Sequence, residues 1–488
     1  MKTFFVEEPQ LFFKGGNPCI DPKVGLLNYG PNGLTEENSE IKVGLIGSPL
    51  SIKYAREFLE RLKYNIPGQK KPDSNVRGID FPGVDKNLDL GFYFTIQDEE
   101  KISDQDINSI IKQISPKERI TKIALAFHQA IEDLSGIHPA PDLVIISLPE
   151  KILDHCKNPF LESDDIKLYS RTFEDLQKVA EMPVEERPLL FDLHDYLKVV
   201  GFEYKLKTQV IKPKTLRFES GTEDPATIAW NFVVANFYKS TGIPWKLADL
   251  EPETVHVGVS FYNDIGLQAV PVVRAAIAQV YMKTGDSQVI RGMEIPVQRE
   301  EESRILNLTE GQAFDILDKA IALFRRQHDN MDPLRIVVHK KSPFTDNELN
   351  GFHKAAEGIN IQDYLHISER PDLRVLANRK YPIMRGSVFV ENEKEFYIFT
   401  TGYIPAFDTY PGSEVPRPLK ISIAEPKSPI STLARDIMNL TKLDWNTASF
   451  AKHLPVTISV SQKVGDIMGE LTISMKNLSL PTAYSNYM

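Results

Sequence analysis

Two short stretches in the first half of the chain are apolar almost without interruption. These are Lys42–Gly47 (KVGLIG) and Asp142–Leu148 (DLVIISL). Such runs suit strands covered on both faces, as in a parallel sheet; a half-exposed strand would alternate instead. Between them, SIKYAREFLERLKY (51–64) and residues 118–135 repeat apolar positions at helical spacing. Residues 66–90 are rich in Pro, Gly, Lys and Asp and predict loop. Strand alternating with helix predicts an open α/β sheet. Further on, Asp224-Pro225 sets an N-cap acid before a first-turn proline. The helix it opens, ATIAWNFVVANFYKS, stops near Gly242 and is apolar nearly all round, which predicts burial between two parts of the chain. Lys239 falls in its last turn, where an ammonium commonly serves the final carbonyls.

The second half has a different rhythm. Val255–Phe261 (VHVGVSF) reads as a strand, and Pro271 argues against one long helix over 268–282. A strand over 274–282, a turn at Thr284-Gly285-Asp286 and a return strand over 287–293 follow. Thr309–Gln312 (TEGQ) is a capping box, predicting a helix to about Asp329, and RIVVH (335–339) predicts another strand. Three meandering strands, a helix and a further strand is the order that opens a ribonuclease H fold.

At 488 residues, a prior of roughly 150 residues per domain gives two to four domains. Cys19 and Cys156 are the only cysteines, which excludes a disulfide framework and suits a reducing cytoplasm. The start MKTFFVEEPQ lacks the pattern of a signal peptide, and no apolar run reaches the roughly 20 residues a membrane helix needs. A cytoplasmic protein without a membrane partner is expected. The net charge of −10 argues against indiscriminate coating of nucleic acid. Yet between Tyr196 and Phe218 lie Lys198, Lys205, Lys207, Lys212, Lys214 and Arg217 against the single acid Glu203. Alone, this stretch would be read as a solvated strand face. There is no phosphate-binding G-x-x-x-x-G-K-[ST], no G-x-G-x-x-G after a strand and no H-E-x-x-H. Ser260 in GVSFY lacks the closing glycine of a nucleophile elbow, and the ten histidines show no metal-ligand spacing. A small-molecule enzyme therefore has little support.

One stretch gives the local charge a use. HDYLKVVGFEYKLKTQ (194–209) sets a ring and an ammonium four residues apart, on one helix face, before a strand-like run that ends in an amide. With it go IAWNFVVANFYKSTGIPWKL, HVGVSF, RIVVHKKSPF, FTTGYIPAFDTYPGSEVPRPL and LTKLDWNTASFAKHLPVTISVSQKVG, and an opening EEPQLFFKGGNPCIDPKVGLLNYGP. As an ordered set these segments resemble an Argonaute of the short prokaryotic type. The resemblance implies an α/β fold: an N-terminal segment and Rossmann-like MID domain over 1–245, then a ribonuclease H-like PIWI domain over 246–488, with no PAZ or N domain. It implies that His194, Lys198, Gln209 and Lys239 bind the 5′ phosphate of a guide. There the C-terminal carboxylate, that of Met488, would share a Mg²⁺ with the guide.

The same resemblance implies an inactive PIWI domain. Cutting members hold two metal ions on a set of carboxylates. The first position falls on Ser260, the second on Lys341, and the last, near the C-terminal strand, on Gln462. Glu294 is a candidate for the remaining glutamate, and Asp264 is expected in a loop beyond Ser260. Serine and glutamine are poor magnesium ligands, and a lysine is repelled by the metal. The implied function is recognition of a single-stranded DNA target through a guide RNA, which activates an APAZ-containing effector in immunity against plasmids and phages. The effector would be an NAD-consuming TIR or sirtuin-like domain, or a nuclease, in a heterodimer that can oligomerise on target binding. An active guided endonuclease with a rearranged site is the alternative.

Overall fold

The computed structural model describes residues 2–69, 78–85, 90–113, 116–155, 193–248, 253–264, 272–281, 287–295, 307–468 and 480–488, apart from single positions at 370, 372, 377, 379, 411 and 413. Cys156, Pro271 and the turn expected at 284–286 lie outside the described residues. Helices are α1 (Pro22–Tyr29), α2 (Pro49–Arg61), α3 (Asp104–Ile111), α4 (Pro116–Ser135), α5 (Glu150–His155), α6 (Leu193–Glu203), α7 (Pro213–Leu216), α8 (Pro225–Ser240), α9 (Glu310–Gln327), α10 (Asp346–Ala355), α11 (Ile430–Leu440) and α12 (Val456–Met468). Among the described residues, no helix is long and apolar enough to cross a membrane.

Four strands, β4 (Glu40–Gly47), β5 (Tyr93–Lys101), β6 (Leu143–Ser147) and β7 (Thr208–Ile211), form a wholly parallel sheet in the order β5-β4-β6-β7. The two apolar runs become its central strands, β6 being buried at every position. A small sheet joins β2 (Leu11–Phe12), β3 (Pro18–Cys19) and β8 (Lys246–Leu247).

The largest sheet has nine strands. It contains β1 (Lys2–Phe5), β9 (Thr254–Asp264), β10 (Val272–Tyr281), β11 (Ser287–Ile295), β12 (Arg335–Lys340), β13 (Ile361–Ser368), β14 (Ser387–Asn392), β15 (Glu395–Ile398) and β16 (Leu419–Ile423). Their order is β1-β14-β15-β16-β13-β12-β9-β10-β11. The β9-β10-β11 meander, α9 with its completed capping box, and β12 parallel to β9 follow the order read from the sequence. The sheet also takes in β1 from the opposite end of the chain, pairing Lys2 with Val390. Asp264 departs from expectation. It closes β9 opposite Val272 instead of lying in a loop, because the hairpin ladder carries the polar Asn263 and Asp264 along despite their weak strand preference.

Helix α8 links the sheets, as its all-round apolar surface predicts. Trp230 meets Phe81 edge-on at 5.3 Å and Phe237 meets Phe92 at 4.8 Å, while Tyr238 lies 4.5 Å from Trp445 of the second half. Helix α12 crosses the nine-stranded sheet so closely that a Cβ on Gly258 would sit 1.7 Å from the Thr457 carbonyl oxygen. Only glycine fits that point of β9.

Candidate functional site

Six side chains from three helices and a strand gather beside β7, the edge strand of the four-stranded sheet. His194 and Lys198 lie one turn apart on α6, Gln209 on β7 and Lys239 at the end of α8, as the motif requires. Lys239 is 2% exposed, and it does not cap its own helix. Its Nζ donates to the Thr208 carbonyl at 2.9 Å and to Gln209 Oε1 at 2.7 Å. The helix-end role falls to Lys207, whose ammonium donates to the Lys239 carbonyl. Burial, then the like charges of Lys198, Lys463 and Lys207, hold the Lys239 ammonium far below the usual lysine range.

Lys463 was not singled out in the sequence. It comes from α12, more than two hundred residues away, and donates to Asn446 Oδ1 at 3.1 Å. Burial lowers its pKa despite nearby Asp444 and Asp195. Asp195 is the acid within the group. Its Oδ1 accepts from His194 Nδ1 at 2.8 Å and lies 3.8 Å from Lys198 Nζ. Burial alone would raise its carboxyl; the His194 hydrogen bond and the charges of Lys198, His194 and Lys463 hold it below the usual range. Lys198 is only 3% exposed, whereas His194 keeps 45% of its ring in solvent. An exposed ring beside buried ammonium groups and an amide can take a planar base next to a polyanionic group.

The tail of the chain closes this region. Tyr484–Tyr487 forms a short helical turn packed against α6, α8 and α12. Tyr487 lies 4.8 Å from Phe202, the Tyr484 hydroxyl accepts from Asn446 Nδ2 at 3.0 Å, and Met488 is buried. Met488 thus ends among the helices that carry the lysines. The side chains alone do not make a magnesium site. Among the described residues no three His, Cys, Asp or Glu groups assemble for a metal, and clustered ammonium groups repel a divalent cation.

Ser260, Lys341 and Gln462, the positions the resemblance assigns to the cutting site, lie on neighbouring segments. Ser260 follows Val259, which pairs with Lys340 on β12, so Lys341 continues the neighbouring strand. Ser260 Oγ donates at 2.6 Å to the Ser461 carbonyl, one residue before Gln462. Gln462 lies within α12. Lys341 forms an ion pair with Glu369. Glu294 is in β11 opposite Arg274.

No family model matches the chain, and no curated protein does either. Solved structures do match it. Clostridium butyricum Argonaute, bound to a guide DNA and a 19-mer target DNA, superposes with a TM-score of 0.62 at 15% identity over 96% of this chain and 53% of its own. Drosophila Piwi gives 0.61 at 12% over 100% and 56%, and A. aeolicus Argonaute 0.54 at 16% over 97% and 53%. The fold is that of the Argonaute and Piwi proteins. The chain spans about half the length of these structures.

Proposed function

We propose that this chain binds the 5′-phosphorylated end of a guide nucleic acid and presents the guide for pairing with a target. The observation that carries this is the buried lysine group in which Lys198 and Lys463 lie near Lys239, itself bonded to Gln209, with His194 exposed on the same helix as Lys198. A protein that buries like charges this closely loses stability unless an anion joins them, and a terminal phosphate supplies the charge and the acceptors. His194 stacks on or bonds the first nucleotide, Gln209 donates from its amide, and the lysines neutralise the phosphate. Magnesium belongs to this proposal only with the guide present; the guide's phosphates and the Met488 carboxylate would supply its oxygens.

In this proposal the chain recognises without cutting. Ser260, Lys341 and Gln462 replace the carboxylates that cutting requires. The guide is RNA, the target single-stranded DNA, and the output lies in a separate APAZ-containing effector with a TIR, sirtuin-like or nuclease domain, serving immunity against plasmids and phages. The domain boundary at 245/246 belongs to the same reading.

Binding of one RNA carrying either a 5′ phosphate or a 5′ hydroxyl tests the pocket. The phosphate should improve affinity at least about tenfold, worth about 1.4 kcal/mol, and Lys198→Ala should abolish the difference. Equal affinity for both ends in the parent protein would sink the reading.

A further inference from the structure

We propose that Asp195 is the resident anion of the lysine pocket: it holds, in the guide-free protein, groups that a 5′ phosphate takes over, and so limits how much negative charge the pocket admits. This rests on the pocket reading above. Asp195 directly follows His194, and its side chain is 17% exposed. Its carboxylate accepts from His194 Nδ1 at 2.8 Å, lies 3.8 Å from Lys198 Nζ and feels the charge of Lys463. Those groups come from two helices, α6 and α12, far apart in the chain. Asp195 is therefore placed as a phosphate would be, against the same ring nitrogen and ammonium groups.

Two consequences follow. Guide binding is an exchange of anions: the phosphate takes over the ammonium groups while Asp195 stays nearby as a fixed negative charge. That charge repels each further charge on the incoming group, so it disfavours a triphosphate more than a monophosphate. Asp195 is a specificity-determining residue that discriminates by charge, with no need for steric exclusion.

Asp195→Asn keeps the shape and removes the charge. The guide-free variant should melt at a lower temperature than the parent, because Lys198 and Lys463 have lost one of the carboxylates beside them. Inorganic phosphate should then raise the melting temperature more in the variant than in the parent. Affinity for a 5′-monophosphate RNA should rise about tenfold, affinity for the 5′-hydroxyl RNA should not change, and a 5′-triphosphate RNA should gain more than the monophosphate. Asp195→Glu, which restores the carboxylate, should return all four readouts toward the parent. Unchanged or weaker monophosphate binding in Asp195→Asn, with hydroxyl binding intact, would overturn the proposal and leave the pocket standing. Loss of binding to all three RNAs would instead make Asp195 a structural support of α6 and overturn it equally. A parent protein that ignores the 5′ phosphate would remove the pocket reading and this inference with it.

Discussion

Buried cations occur in two places in this protein, and they are treated differently. Around the nine-stranded sheet the buried cations are matched to acids at short range, Arg385 and Lys442 sharing Glu8. Arg335 lies between Asp363 at 2.9 Å and Asp436 at 2.7 Å, Lys340 pairs with Glu348, and Lys442 meets Glu8 at 2.7 Å. Beside the four-stranded sheet, Lys198, Lys207 and Lys463 surround Lys239, Asp195 lies beside Lys198, and the groups that perturb Lys239 besides burial are all lysines. The first arrangement is self-sufficient: desolvation is offset by a partner of opposite charge. In the second, Lys239 has like charges as its charged neighbours, and under the proposed function a guide phosphate would join them. Counting charged residues would miss this distinction, since both places are rich in lysine or arginine. Tracing which charges surround each ammonium separates the matched cations of the large sheet from the candidate binding site.

The comparison can be broken most sharply in the sheet. Glu348 is fully buried, accepts from Lys340 and from the Leu308 amide, and completes the capping box of α10. Glu348→Ala would strand Lys340, already held below the usual lysine range by its burial, at a cost of about 3–5 kcal/mol in urea unfolding. The preference for a 5′ phosphate should survive in whatever protein folds.

Next in size is an effect of acid. Burial first, then the charge of His256, holds His339 neutral, its pKa pushed down to about 3 from an ordinary 6.5. The unfolded chain takes up that proton below about pH 6.5 and the folded one does not. Stability is therefore full above that pH and falls at roughly 1.4 kcal/mol per unit as acid is added, down to the folded value. Unfolding free energies at pH 7 and pH 5 should show the drop, and His339→Gln should shrink it.

The smallest effect has the opposite sign. Lys239→Met should stabilise the guide-free protein by about 1–2 kcal/mol, because it removes a buried charge set among like charges. It should also erase discrimination between 5′-phosphate and 5′-hydroxyl RNA. Loss of stability in Lys239→Met would place Lys239 with the scaffold cations and dissolve the contrast.

Much of the scaffold was legible in order. KVGLIG and DLVIISL showed buried parallel strands because nothing polar interrupts them, and the capping box at Thr309 fixed the start of α9. His194, Lys198, Gln209 and Lys239 were named together through the resemblance to an Argonaute, and the structure places Lys239 against Gln209 and near Lys198. Lys463 was not among them, since no spacing connects it to α6; only the crossing of α12 over the sheet brings it in. Asp195 was overlooked beside His194 because an acid has no evident place in an anion pocket until distances show what it holds. The segment TISVSQ also disguised α12. Its β-branched residues favour a strand, yet the residues after Pro455 form a helix whose close packing on Gly258 outweighs that preference. Strand β1 has only four residues and gave no signal of its own.

That short strand has a consequence for how the molecule is made. Lys2–Phe5 pairs with Ser387–Val390, and its open flank leaves Phe5 45% exposed. On a ribosome adding about 5–20 residues per second, β1 therefore remains without its partner for roughly 20–80 s. The four-stranded sheet, whose strands all lie within residues 40–211, can assemble during that interval. The nine-stranded sheet cannot be completed from its leading end. That edge closes backwards, when Ser387–Val390 return to Lys2–Phe5.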